Sequence, residues 1–135
     1  MISRRSVLLT LAVATLCAGC GPVLGGSGRS GVVRMFDTDN DGTLDLAEAK
    51  KAASAMFAKL DRDHDGTLDK RELVRRLSAK EFAAADPDHD GTLTLDEYLA
   101  VVEQRFNAAN PDKDGTLDTK ELNTSAGRAL LRLLR

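Results

Sequence analysis

The sequence predicts an all-α domain: a compact helical bundle that carries four closely spaced acidic loops, with short β-bridges between paired loops. Three observations predict it. One twelve-residue pattern recurs four times, starting at residues 37, 61, 86 and 110. The apolar residues between the repeats follow helical spacing rather than strand alternation. The repeats begin only 24, 25 and 24 residues apart, so one short helix must serve two neighbouring loops.

The repeats read DTDNDGTLDLAE, DRDHDGTLDKRE, DPDHDGTLTLDE and NPDKDGTLDTKE. This is the pattern of an EF-hand loop, which wraps a hard cation in oxygen. Side chains at positions 1, 3 and 5 supply ligands, with a carbonyl at 7, often a water at 9, and a bidentate Glu at 12. The first loop supplies Asp37, Asp39, Asp41, the Thr43 carbonyl, Asp45 and Glu48. The second supplies Asp61, Asp63, Asp65, the Thr67 carbonyl, Asp69 and Glu72. The third supplies Asp86, Asp88, Asp90, the Thr92 carbonyl, Thr94 and Glu97. The fourth supplies Asn110, Asp112, Asp114, the Thr116 carbonyl, Asp118 and Glu121.

Position 6 is glycine in every loop, where the chain must turn sharply. Position 8 is leucine in every loop (Leu44, Leu68, Leu93, Leu117), expected to point inward while its backbone pairs with another loop. Thr at position 7 suits that short bridge. The loops are unequal. The first two carry five carboxylates each and the last two carry four. Asn110 makes the first ligand of the fourth loop neutral, so that loop is expected to bind most weakly. Pro87 and Pro111 stiffen position 2 of their loops, where Thr38 and Arg62 do not. His64 and His89 stand at position 4, which points away from the metal. Hard-cation sites use oxygen, so both are read as solvated.

The intervals between loops are residues 49–60, 73–85 and 98–109. Twelve helical residues span only about 18 Å. From Leu46, the positions Ala49, Ala52, Ala53, Met56, Phe57 and Leu60 form one apolar stripe. From Leu95, Tyr98, Leu99, Val102, Phe106 and Ala109 form another. In the middle interval, Ser78 and Glu81 have capping-box spacing, so two short helices are expected, Leu73–Leu77 and Ala79–Ala85. Ser125 is expected to cap a last helix bearing Leu130, Leu131, Leu133 and Leu134.

Charge agrees with the loop reading. Formal net charge is −2 for 135 residues, and eighteen of the twenty-one acids occupy ligand positions. Only Glu81, Asp96 and Glu103 lie elsewhere. No basic run points to nucleic acid. Every acid cluster reads as a metal cage with no paired nucleophile, so no enzyme is expected.

Residues 1–20 read as an export signal: Arg4 and Arg5, an apolar run from Val7 to Leu16, then small residues. The run is too short to span a membrane. Ser3 to Leu8 resembles a twin-arginine signal, and a plain secretory signal also fits. Cys17 and Cys20 are the only cysteines, with no second pair to build a metal or redox site. Two readings stand: a lipoprotein signal with Cys20 acylated, or a soluble exported protein cleaved nearby. Residues 21–31 read as a flexible linker and 32–135 as the four-loop domain. The expected location is the periplasm, free or lipid-anchored through Cys20.

The stretches FDTDNDGTLDLAEA, KLDRDHDGTLDKREL, ADPDHDGTLTLDEYLAVVE and FNAANPDKDGTLDTKELNTSAGRAL, with their short intervals and export signal, resemble the lanmodulin family. That resemblance covers about residues 34–135. It implies a small exported bacterial protein that binds lanthanide(III) ions in preference to calcium and orders on binding. It also implies a link to lanthanide-using metabolism such as methanol oxidation. The sequence departs from the family at Thr38 and Arg62, where proline is typical, and at Thr94, where Asp is expected. An envelope calcium buffer or sensor is the competing reading, with a calcium-shaped protein-interaction module resembling dockerins behind it. Charge favours the trivalent ion. Five carboxylates leave −3 around a divalent ion and −2 around a trivalent one, and the latter gains about 1.5 times the attraction at equal distance.

Overall fold

The computed structural model describes residues 30–135. The expected export signal, Cys17, Cys20 and residues 21–29 of the expected linker lie outside the described residues. Ser30 and Gly31, the last two residues of that linker, open helix α1 (Ser30–Arg34).

Three helices form the bundle: α2 (Leu46–Leu60), α4 (Leu95–Ala109) and α6 (Ser125–Leu134). Shorter helices are α3 (Ala79–Ala85) and α5 (Thr119–Leu122). The domain is mostly helical but not purely so. Four short strands, β1 (Leu44–Asp45), β2 (Thr67–Asp69), β3 (Thr92–Thr94) and β4 (Thr116–Leu117), make two antiparallel ladders.

The ladders decide the topology. β1 pairs with β4, and β2 pairs with β3, so the first loop joins the fourth and the second joins the third. Helix α2 leads from the first loop to the second, and α4 leads from the third to the fourth. The two helices therefore run in opposite directions, with one ladder at each end. Each has 15 residues, so the ladders stand about 22 Å apart along the bundle.

The four position-8 leucines are fully buried, as their pattern predicts. They face each other across the ladders, Leu44 with Leu117 and Leu68 with Leu93. Each contributes about 1.5–3 kcal/mol of apolar burial. The α2 stripe buries Ala49, Ala53 and Phe57, with Ala52, Met56 and Leu60 half-buried. The α4 stripe buries Tyr98, Val102, Phe106 and Ala109, with Leu99 half-buried and Val101, outside the expected stripe, also buried. Phe57 meets Tyr98 edge-on, with ring centroids 5.8 Å apart. Leu130, Leu131, Leu133 and Leu134 close the core from α6.

Polar anchors fix the helices against one another. The Tyr98 hydroxyl donates to the Leu133 carbonyl at 2.7 Å. Arg105 on α4 donates to the Ala129 carbonyl at 2.6 Å and to Glu81 at 2.7 Å, tying α6 and α3 to the same helix. Arg76 donates to the Arg132 and Arg135 carbonyls, which have no partner inside α6. The Lys50–Glu103 pair links α2 to α4 but is partly exposed, so it adds little.

Two sequence expectations need correction. Residues 73–77 are not a helix. The segment makes isolated turns, such as Arg76 N–H to the Leu73 carbonyl at 2.9 Å, and Arg75 has a left-handed φ of 71° that a helix does not admit. Thr124, not Ser125, caps α6: its hydroxyl accepts from the Gly127 amide at 3.0 Å, and Ser125 is the first helical residue. The capping box expected at Ser78 and Glu81 is present, with both reciprocal bonds.

Gly127 lies where α6 crosses α5. A Cβ there would sit 2.2 Å from the Glu121 carbonyl oxygen and 2.5 Å from the Leu122 Cα. Backbone cannot yield as a side chain does. Gly127→Ala should therefore cost about 3 kcal/mol in denaturant unfolding of the metal-loaded protein. Gly31→Ala, with nothing within 4 Å, should not.

Burial pushes the Tyr98 phenol from 10.0 up to about 12, with the Arg76 and Arg105 charges partly offsetting it. The folded value lies above the unfolded one. The stability this contributes is present below pH 10 and is lost between 10 and about 12. An absorbance titration of the folded protein should give a phenolate midpoint near 12. Tyr98→Phe should remove the signal and cost about 1 kcal/mol.

Candidate metal centres

Each loop is shaped by amides that converge on acid side chains. In the first, α1 delivers Asp37, whose own N–H donates to the Val33 carbonyl at 2.8 Å. The chain then reverses through Asn40 (φ 62°) and Gly42 (φ 85°). That turn aims the Asn40 amide at Asp37 Oδ1 (2.5 Å) and the Gly42 amide at Oδ2 (3.0 Å). The Gly66 and Gly91 amides hold Asp61 and Asp86 in the same way, at 3.1 and 3.0 Å. A Cβ at position 6 would meet open space, so glycine is required there by the positive φ alone.

Ligand atoms gather as a consequence. Asp37, Asp39 and Glu48 each place one oxygen within 4.8 Å of the others. So do Asp61, Asp63 and Glu72, and so do Asp86, Asp88 and Glu97. These are positions 1, 3 and 12 of the first three loops. Position 5 is held close by: Asp41, Asp65 and Asp90 each accept from the amide and hydroxyl of the following position-7 threonine, the three amide bonds all measuring 2.8 Å. That leaves the threonine carbonyls in the ladder turns. Position 9 faces the helix instead. Asp45, Thr94 and Asp118 cap α2, α4 and α5. Thr94 keeps the reciprocal capping bonds that an Asp would make, drops the charge, and adds a hydroxyl that donates to Glu97 Oε2 at 3.0 Å.

The fourth loop has the same backbone, with Lys113 at φ 56°, Gly115 at φ 93° and Asp114 accepting from Thr116. Its Asp112, Asp114, Asp118 and Glu121 are not gathered into a group of three. Its first ligand differs in state as well as charge. Asn110 is 6 % exposed, and its Oδ1 is buried with no hydrogen-bond partner among the described residues. A buried carbonyl oxygen without a donor costs free energy unless something electropositive meets it. A cation is such a partner, so the residues fit a metal ion here as the three carboxylate groups do in the other loops. His64 and His89 are exposed, at φ 59° and 57°.

Crowded charge is visible in the acids themselves. The Asp41 amide pulls the Asp39 carboxyl down, but desolvation and the Asp41 and Glu48 charges outweigh it and raise it above its ordinary value. Desolvation, Asp65 and Glu72 raise Asp63 in the same way. Asp88 is raised by the hydrogen bond it shares with Asp86 and by the Asp90 and Glu97 charges. Burial pushes Asp86 up, yet the Gly91, Asp90 and His89 amides hold it below its ordinary value. Position 3 is thus the strained charge in each of these loops.

An oxygen-lined, net-negative loop between a short ladder and a helix start defines a helix–loop–helix protein for hard cations. The EF hand family model matches residues 34–51, 54–78 and 79–102, which hold the first three loops. No curated protein matches the chain. The match and the three acidic groups together support a metal-ion-binding protein of the EF-hand calcium-binding family. The fourth loop lies beyond the matched residues. Its first ligand is the neutral Asn110.

Metal binding should weaken on acidification, because ligands must be deprotonated. Asp39, Asp63 and Asp88 carry raised values, so they take up protons first as pH falls toward 3.8. For the metal-free fold the sign is opposite. Whatever stability these groups contribute is present below 3.8 and is lost as pH rises through the raised values. Calorimetric titrations at stepped pH in two buffers should show little proton release near neutrality and increasing release toward pH 4.

Proposed function

We propose that this chain is an exported metal-binding protein that takes up lanthanide(III) ions through its four loops, binds calcium more weakly, and orders when it binds. The observation that carries this reading is the gathering of three carboxylates within 4.8 Å in each of three loops that hold one or two further acids. Charge packed that tightly suits a trivalent ion better than a divalent one. At about 4 Å, each like-charged pair costs roughly 4 kcal/mol near a protein surface when no ion is bound. A core with four Phe, one Tyr and no Trp has little to set against several such terms. Ion binding removes the repulsion, and its free energy becomes folding free energy.

The chain's own residues would act as follows. Asp61, Asp86 and Asn110 would offer the first ligand from a buried position, and Asp37 from a half-buried one. The position-3 and position-5 acids complete one side, and Glu48, Glu72, Glu97 and Glu121 close the other. The bound ion supplies positive charge. Export would use residues 1–20, with Cys20 as the acylated residue if the product is lipid-anchored. We read the protein as a binder rather than an enzyme.

The family match favours calcium as the competing ion. Circular dichroism with micromolar lanthanide in millimolar calcium separates the two. Helix formation on adding lanthanide, beyond what calcium alone produces, is the expected result. Equal ordering by calcium alone would sink the lanthanide reading and leave a calcium-binding protein.

A further inference from the structure

The four position-12 glutamates are not held alike. In the first two loops both carboxylate oxygens accept backbone N–H bonds. The Thr38 amide donates to Glu48 Oε1 at 2.5 Å, and the Arg62 amide to Glu72 Oε1 at 2.9 Å. The Asp45 and Asp69 amides take the Oε2 atoms, both at 3.2 Å. In the last two loops position 2 is Pro87 or Pro111, which has no N–H to give. Among the described residues, Glu97 and Glu121 are held on Oε2 alone, Glu97 by the Thr94 amide at 2.8 Å and hydroxyl at 3.0 Å and Glu121 by the Asp118 amide at 2.9 Å. The ladders pair unlike loops, so each pair contains one glutamate with both oxygens held and one with a single oxygen held.

We propose that the position-2 amide is a retention device. Thr38 and Arg62 are positioning residues that keep Glu48 and Glu72 on a bound ion, so the first two loops release metal slowly and the last two release it quickly. A carboxylate has lone pairs enough for an amide and an ion on each oxygen. For metal to leave such a loop, the bidentate glutamate must give up the ion with both oxygens. In the first two loops that step also breaks a charge-assisted hydrogen bond on the second oxygen, and such bonds are the strong ones. Ligand charge alone would order the loops the same way, so the test must change the amide and leave the ligands intact. This proposal rests on the reading that the loops hold metal.

Arg62→Pro removes the amide, and the ψ of the preceding residue matches that before the two native loop prolines. Asp61 has ψ 85°, against 84° for Asp86 and 80° for Asn110, both of which precede a proline. Arg62→Ala keeps the amide and loses only the side chain. Pro87→Ala supplies an amide that the third loop lacks. The full-length protein is loaded with terbium and mixed with excess chelator while terbium emission is followed. The wild type should show a slow phase for two ions. Arg62→Pro should speed one of these by at least about tenfold, and Arg62→Ala should leave both slow. Pro87→Ala should slow the phase sensitised by Tyr98, which follows Glu97 directly. In the lanthanum-loaded protein the Arg62 amide proton should resist exchange in the wild type and in Arg62→Ala. Equal release from Arg62→Pro and Arg62→Ala, or no change in Pro87→Ala, overturns the proposal. A wild type that takes up no terbium overturns the metal reading and this proposal with it. One that takes up terbium keeps the two failures apart.

Discussion

The glutamate at the twelfth position of each loop belongs to two structures at once. In the first loop, Glu48 is one corner of the acidic group and also the third residue of α2, where its side chain accepts the Asp45 amide and its own amide donates to Asp45 at 2.7 Å. Glu97 stands in the same double relation to its acidic group and α4, while Glu121 is the third residue of α5 in a loop whose acids are not gathered. Order in the ion site and order at the helix start are therefore one event. A side chain placed to close around a cation is already placed to cap a helix, and one that swings free uncaps it. The ion-dependent ordering proposed for this chain would act through this shared residue without any long-range device.

The rest of the architecture spreads that local event. Helix α2 carries order from the first loop to the second, and α4 from the third to the fourth. The ladders join the first to the fourth and the second to the third. Four loops thus form a closed circuit, two links made by helices and two by strands. The second loop is the variation within it. Asp69 and Glu72 make the reciprocal bonds of a helix start, yet Arg75 turns left-handed and no helix follows. The chain uses that break to fold α3 back against α4, where Arg105 grips Glu81.

Much of this was legible in the sequence because it is local. Most of the bonds that shape a loop join residues two to five positions apart, such as Gly42 to Asp37 and Thr43 to Asp41, and the longest, from position 2 to position 12, span ten. A pattern of Asp, Gly and Thr at fixed offsets encodes such bonds directly. The two helix stripes and the box at Ser78 and Glu81 were legible for the same reason. Reading failed where two local signals compete. Thr124 and Ser125 are both good caps, and contact with the Gly127 amide selects the threonine. Leu73 to Leu77 has helical composition, but Arg76 is held at the far end of α6.

The sequence by itself determined four acidic loops, their hard-cation chemistry, their unequal charge and the sharing of helices between neighbours. Only the tertiary structure decided which loops pair, that Asn110 keeps a buried oxygen without a donor, and that Gly127 admits no side chain. The division has a physical cause. Loop chemistry is set by backbone turns a few residues long. Pairing, burial and close approach depend on segments distant in the chain, such as Leu44 against Leu117, and any of the four identical leucines could have met any other. The pairing that forms sets α2 against α4 in opposite directions, with one ladder at each end of the bundle.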